Sequence, residues 1–133
     1  METMSLKKAI YYARQNTIVP IGRNSISRFA SVIVCGKTEI IGFNQYRSHP
    51  LQFRFSTNDD CVYLHSEVDA IRKTIQYLAR QNGSSYRDIT DLSDWNMFVA
   101  RVLKDGTPAL ARPCIGCQRA IMHFNIQHIE WTT

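Results

Sequence analysis

The sequence predicts an α/β layered domain with a mixed sheet of about four strands flanked by helices. Three observations predict it. Two short apolar, β-branched runs are joined by a link too tight for any crossover helix. Apolar residues recur at helical spacing in several separate stretches. A later run, "WNMFVARVL", is apolar on both alternating faces, as expected of a strand covered on both sides.

Taken in order, Ser5 is positioned to cap a first helix, with Leu6, Ile10 and Ala13 at helical spacing behind it and Pro20 and Gly22 closing the region. "FASVIV" (29–34) and "EIIGF" (39–43) form an antiparallel hairpin around "CGKT". The segment from Asn44 to Tyr63 reads as a long connection, and its aromatic content argues for an ordered loop over a pocket. Val68, Ile71, Ile75 and Leu78 then mark an amphipathic second helix that "NGSS" (82–85) ends. After the central strand, "KDGT" turns the chain. Cys117, Ala120, Ile121 and Phe124 stripe a third helix starting near Pro113, whose fixed φ suits a first turn. "HIEWTT" is a final short strand.

At 133 residues and 44% hydrophobic content the chain predicts a single domain over residues 1–133. No apolar run is long enough to cross a bilayer, and "METMSLKKAIYYARQ" alternates charged and apolar groups instead of forming a secretion signal. A soluble, cytoplasmic protein with no membrane partner is expected. Four cysteines, Cys35, Cys61, Cys114 and Cys117, would then serve metal binding or burial and not disulfides. The net charge of +5 suits an anionic ligand, but the 16 basic residues form no block. That distribution favours a small phosphorylated substrate over a nucleic acid.

The residues that carry chemistry lie in two short motifs. Cys114 and Cys117 are three apart at a helix start, where exposed amides favour thiolate, the form that binds metal. On its own this C-x-x-C fits a redox pair or two buried small groups equally well. His65 and Glu67 shift the balance. Two thiolates and one imidazole make a three-ligand zinc site with an open fourth position, and Glu67 can sit beside the ion without ligating it.

The combination His65-Ser66-Glu67 with Pro113-Cys114-Ile115-Gly116-Cys117 resembles the H-x-E…P-C-x-x-C pattern of zinc nucleobase deaminases. Over most of its length the chain resembles the cytidine and deoxycytidylate deaminase superfamily, closest to short phage-type deoxycytidylate-deaminase-like proteins. The resemblance implies a cytidine-deaminase-like fold, zinc on His65, Cys114 and Cys117, and Glu67 as proton shuttle. It also implies a ring carbonyl at the Ser66 backbone N–H and a sugar or base contact at Asn44, although asparagine is also common after strands as a turn former. The implied reaction is hydrolytic: water activated by zinc replaces the amine of a cytosine nucleotide or nucleoside, deoxycytidylate first, and ammonia leaves. Relatives are commonly homo-oligomers, so assembly is expected here.

Two alternatives stay open, a deaminase acting on a base within RNA or single-stranded DNA and a zinc-stabilised binding module without turnover. Ser66 stands where alanine is usual in the family, which adds a hydroxyl near the pocket. Arg47, Arg54 and Arg112 are candidates for one phosphate contact. Tyr46, Phe53 and Phe55 are candidates for stacking on a base, or for filling space between loop and core. His49, His123 and His128 read as loop or helix-end groups, and Cys61 as a buried or loop cysteine outside the ligand set.

Overall fold

The computed structural model describes residues 3–18, 27–56 and 63–133. The first helix, α1, spans Met4–Gln15. Its cap is Thr3 and not Ser5. Thr3 keeps an extended backbone and its Oγ1 accepts the Leu6 N–H at 3.1 Å, whereas Ser5 already lies inside the helix. Pro20 and Gly22, expected to close this region, lie outside the described residues.

Strands β1 (Arg28–Cys35) and β2 (Thr38–Phe43) form the expected hairpin, with Val34 opposite Glu39 and Cys35 opposite Thr38. Cys35 therefore ends a strand and does not sit in the turn. The segment expected to be a loop contains a six-residue helix, α2, over Pro50–Phe55. Pro50 occupies its first turn, and His49 caps it by accepting the Leu51 N–H on Nδ1 at 3.0 Å. Helix α3 runs Ser66–Asn82 and stops at Gly83, whose φ of 62° is the left-handed conformation that ends helices.

Strand β3 (Asn96–Val102) is central, followed by the two-residue β4 (Pro108–Ala109), helix α4 (Ile115–His123) and β5 (His128–Trp131). Helix α4 starts later than expected. Cys114 is its cap, accepting the Cys117 N–H on sulfur at 3.5 Å, so Pro113 precedes the cap and lies outside the first turn. The sheet runs β2-β1-β3, with β4 and β5 both paired to the far edge of β3. Among the described residues only the β3–β5 pair is parallel, across the α4 crossover; the other pairs are antiparallel. The predicted α/β class with a mixed, helix-flanked sheet is the observed one, its fifth strand being the short β4.

Alternation along the strands divides the core. Ala30 and Val32 of β1 and Phe98, Ala100 and Val102 of β3 face Leu6, Ala9, Ile10 and Ala13 of α1. Ile33, Met97 and Val99 face the opposite side, where α3 and α4 supply Val68, Ile71, Ala120 and Ile121. Gly42 lets α3 lie against β2: a Cβ there would fall 2.3 Å from the Ala70 nitrogen and 2.4 Å from the Ser66 carbonyl oxygen. The first turn of α3 is thereby pressed onto the end of the hairpin. Among the described residues no helix is long and apolar enough to cross a membrane.

Candidate metal centre and its cavity

The starts of α3 and α4 meet. His65 is the cap residue of α3 yet makes no side-chain capping bond, which leaves its ring free. Cys114 and Cys117, at the cap and in the first turn of α4, bring their sulfurs to 3.6 and 3.3 Å from His65 Nδ1. All three donor atoms lie within 4.8 Å of one another, a group that can hold a metal ion. His65 and Cys114 are half-buried and Cys117 is fully buried. Packing of α2 closes this corner: a side chain on Gly116 would press on the Phe55 carbonyl at 3.0 Å.

The thiols are already polarised. The hydrogen bond from Cys117, with His65 beside it, lowers the Cys114 pKa to about 4 against the cost of burial. The same bond together with burial pushes Cys117 far up. A metal ion held by both sulfurs would displace any proton they share. His65 is raised, chiefly by its contact with Cys114.

Glu67 is 4% exposed. Burial raises its pKa, opposed by His65, by its own backbone N–H and by the Ser66 hydroxyl. That hydroxyl donates to Glu67 Oε1 at 2.9 Å and itself lies 2.8 Å from Ser31 Oγ, so a buried chain of two serines orients the carboxylate. A carboxyl held this way, beside a ligand cluster and at a cavity, is placed to take up and return a proton. As the first residue of α3, Ser66 also has a backbone N–H with no acceptor inside the helix.

A cavity of about 240 Å³ opens at this corner, where β2 ends and β1 begins. His65, Ser66, Glu67 and Cys114 form one wall, and Phe29, Tyr46 and Tyr63 form an aromatic one. Tyr46 and Tyr63 pack edge to face with centroids 5.6 Å apart.

Asn44 and Arg112 also line the cavity. The Asn44 amide is largely committed to the scaffold. Its Oδ1 accepts from Phe29 N at 2.9 Å and Asn16 Nδ2 at 2.7 Å, and its Nδ2 donates to the Ser27 carbonyl at 3.0 Å. One N–H remains for a ligand. Arg112 is exposed at the mouth.

The other candidates disperse. The Arg47 carbonyl accepts the Leu64 N–H at 2.9 Å while its side chain stays outside this cavity. Arg54 and His49 line a different cavity. Phe55 is core, Phe53 is exposed, and Cys61 lies outside the described residues. His123 ends α4, and His128 pairs with Glu130 at 2.9 Å.

Three supporting residues escaped the sequence. Gln52, fully buried, accepts the His65 N–H on Oε1 at 3.0 Å and so fixes the start of α3. Its Nε2 is buried without a partner among the described residues, and reversing the amide would set donor against donor. This leaves the two N–H donors of that amide for a bound group or water to satisfy. Asp69, also fully buried, gathers Phe43 N at 2.9 Å, Gln45 Nε2 at 3.1 Å, Arg72 and Lys73, tying α3 to the cavity wall. Ser31 is the third. A carboxylate amid the apolar run "EVDAI" is the one signal of these that the sequence displays.

Comparison with protein-family models, with curated proteins and with solved structures finds no match. The chain's own residues carry the functional reading.

Proposed function

We propose that this protein is a zinc-dependent deaminase acting on a cytosine nucleotide or nucleoside, deoxycytidylate foremost. The carrying observation is the grouping of His65, Cys114 and Cys117 at a cavity that His65, Cys114 and the buried Glu67 line, with Cys117 buried behind it. The donor set fits zinc in kind and in spacing. Ligand bonds of about 2.3 Å to sulfur and 2.0–2.1 Å to nitrogen, disposed tetrahedrally, separate sulfur from nitrogen by about 3.5 Å. The separations here are 3.6 and 3.3 Å.

Three protein donors leave the fourth position for water, the pattern of catalytic and not structural sites. Zinc held there would make water acidic near neutral pH. The chain supplies the rest. Glu67 can take one proton from the attacking water and give it to the ring nitrogen, then take a second from the new hydroxyl and give it to the departing amine, its carboxylate aimed by Ser66 and Ser31. The Ser66 backbone N–H faces the ring carbonyl, which distinguishes a pyrimidine with an oxygen beside the amidine nitrogen. Phe29 and Tyr46 hold a flat ring against the ligand wall, and Arg112 at the mouth meets a 5′-phosphate. The free thiols at Cys35, Cys114 and Cys117 suit a reducing, cytoplasmic compartment.

The test is a panel of nucleosides, nucleotides and short single strands incubated with zinc-supplied protein and scored by product mass and ammonia release, with Glu67→Ala as blank. Conversion of a cytosine nucleotide, absent in the blank, is the expected result. Zinc content without ammonia from any substrate would leave a binding module in its place.

A further inference from the structure

The arginines differ in what their N–H groups do. Arg28 donates to the Arg14 and Leu103 carbonyls at 2.7 and 3.2 Å, and Arg101 donates to Ser27 Oγ at 2.9 Å. Arg14 donates to the Gly106 carbonyl at 3.0 Å. These guanidiniums are fasteners of the scaffold.

Beside α2 the arrangement is different. A second cavity, of about 420 Å³, opens between α2, the first half of α3 and the short 3₁₀ turn Tyr86–Asp88. Arg54, Arg72 and Arg87 line it together with His49, and no carboxylate does among the described residues. Arg72 is fixed from behind by Asp69 at 2.7 Å. Lys73 reaches the other oxygen of that carboxylate at 3.1 Å, so one buried anion serves two cations and a positive charge is left over.

Arg54 and Arg87 have no acidic partner among the described residues. Arg54 lies over the Phe55 ring at 5.2 Å, with one nitrogen 3.4 Å from His123 Nε2, and Arg87 lies over the Tyr86 ring at 5.7 Å. These ring contacts steady the planes and leave most of the N–H groups open. His49 Nδ1 accepts from Leu51, so the neutral ring carries its proton on Nε2 and is a donor as well. Burial and the Arg72 charge hold the His49 pKa down, in keeping with the neutral ring.

We infer that this second cavity binds the phosphate of an organic phosphate, held between Arg54 and Arg87 with the remainder of the ligand against Tyr86 and Ile75. Guanidinium forks match phosphate oxygens in geometry as well as charge, and a lining so dominated by donors repels cations. The cavity, of about 420 Å³, has room for more than a bare ion. Such a ligand is either a free nucleotide or a neighbouring residue of a strand. The chain places the two cavities close together, because Tyr46 lines the first and His49 the second, at most about 11 Å of backbone apart. A strand with one base in the first cavity is thus in reach of the second. This inference stands on the arginines and does not require turnover at the metal centre.

Thymidylate and a short oligothymidylate are suitable probes, since neither carries an amine to be removed. Binding to the full, zinc-supplied chain at low salt is followed by calorimetry and by the arginine Nε–H signals in NMR. The Arg54→Ala/Arg87→Ala double variant is expected to lose at least about tenfold in affinity, as befits two charge-assisted contacts. Arg80→Ala/Arg119→Ala removes the same charge from exposed sites elsewhere and should lose less than about threefold. Arg54→Lys/Arg87→Lys, which keeps the charge and removes the forks, should fall between them.

The two sources separate on length and salt. Oligothymidylate binding far above thymidylate, with a log–log salt slope that shrinks by about 0.7 for each lost contact, identifies a strand. Equal affinities identify a free nucleotide. Equal losses in the two alanine double variants, or no movement of the Arg54 and Arg87 signals with either probe, would overturn the inference.

Discussion

On one face of the sheet α1 meets β1 and β3 through Leu6, Ala9, Ile10 and Ala13, and every buried residue of that cluster is apolar. On the other face α2 and α3 bury Gln52, Ser66, Glu67, Asp69 and Thr74, and β1 adds Ser31. Buried polar groups cost stability unless they are bonded, and here nearly all of them are bonded to one another or to backbone. The α1 face consists of small and branched side chains that fill space. Apart from Thr74, which bonds the Ala70 carbonyl of its own helix, the buried polar groups of the opposite face form a directed hydrogen-bond network near the start of α3. The difference teaches that this small domain places its apolar packing and its candidate metal site on opposite sides of one sheet, so the two should respond separately to substitution.

The largest effect should come from breaking the chemistry alone. Glu67→Gln keeps the shape and is expected to lower turnover by about 10²–10⁴-fold, the usual contribution of a positioned acid–base group, while metal content by mass spectrometry stays at the wild-type value. Unchanged turnover would remove Glu67 from its role.

Disturbing the joint between the faces should come next. Gly42→Ala forces β2 from the α3 backbone and is expected to lower stability by about 3 kcal/mol in urea titration, with metal affinity falling too because the Ser66 turn shifts. Retained metal affinity at reduced stability would show that the joint and the site are independent.

On the apolar face, Ile10→Ala removes a side chain that is 5% exposed and should lower stability by about 2–3 kcal/mol without altering metal content or substrate range. Smallest is Thr3→Ala, which loses the α1 cap bond and should lower stability by about 1 kcal/mol, read as a small shift in the thermal midpoint. Either of these changing metal content would contradict the separation of the two faces.

The legible parts of the fold are those whose signal is local. The spacing of Leu6, Ile10 and Ala13, the two β-branched runs around "CGKT" and the apolar "NMFVARV" each announce an element by period alone. Helix α2 was hidden because "PLQFRF" is under two turns, too short to show a period, and begins with a residue that also begins turns. Capping showed the same limit. Thr3 and Ser5 both carry a hydroxyl, and only the backbone at Thr3 decides between them.

At the site, the grouping of His65, Cys114 and Cys117 was legible because a set of side chains able to hold a metal ion is marked by residue type and spacing. Gln52 and Ser31 were not, because their partners lie 13 and 35 residues away and nothing local marks a glutamine or serine as a support. Asn44, which the resemblance implies as a sugar or base contact, lines the cavity while most of its amide clasps Phe29, Asn16 and Ser27, partners that nothing local in the sequence announces. The Arg54 and Arg87 cavity depends on bringing α2 against the 3₁₀ turn, which sequence spacing does not express.

X-ray absorption at the zinc edge, on protein purified with zinc and dialysed against weak chelator, addresses the metal centre itself. The structure leads us to expect one zinc per chain, with two sulfur scatterers at about 2.3 Å and two nitrogen or oxygen scatterers at about 2.0 Å, and loss of a sulfur in Cys114→Ser. An all-sulfur or all-oxygen shell, or protein that retains no stoichiometric zinc, would contradict the assignment of His65, Cys114 and Cys117.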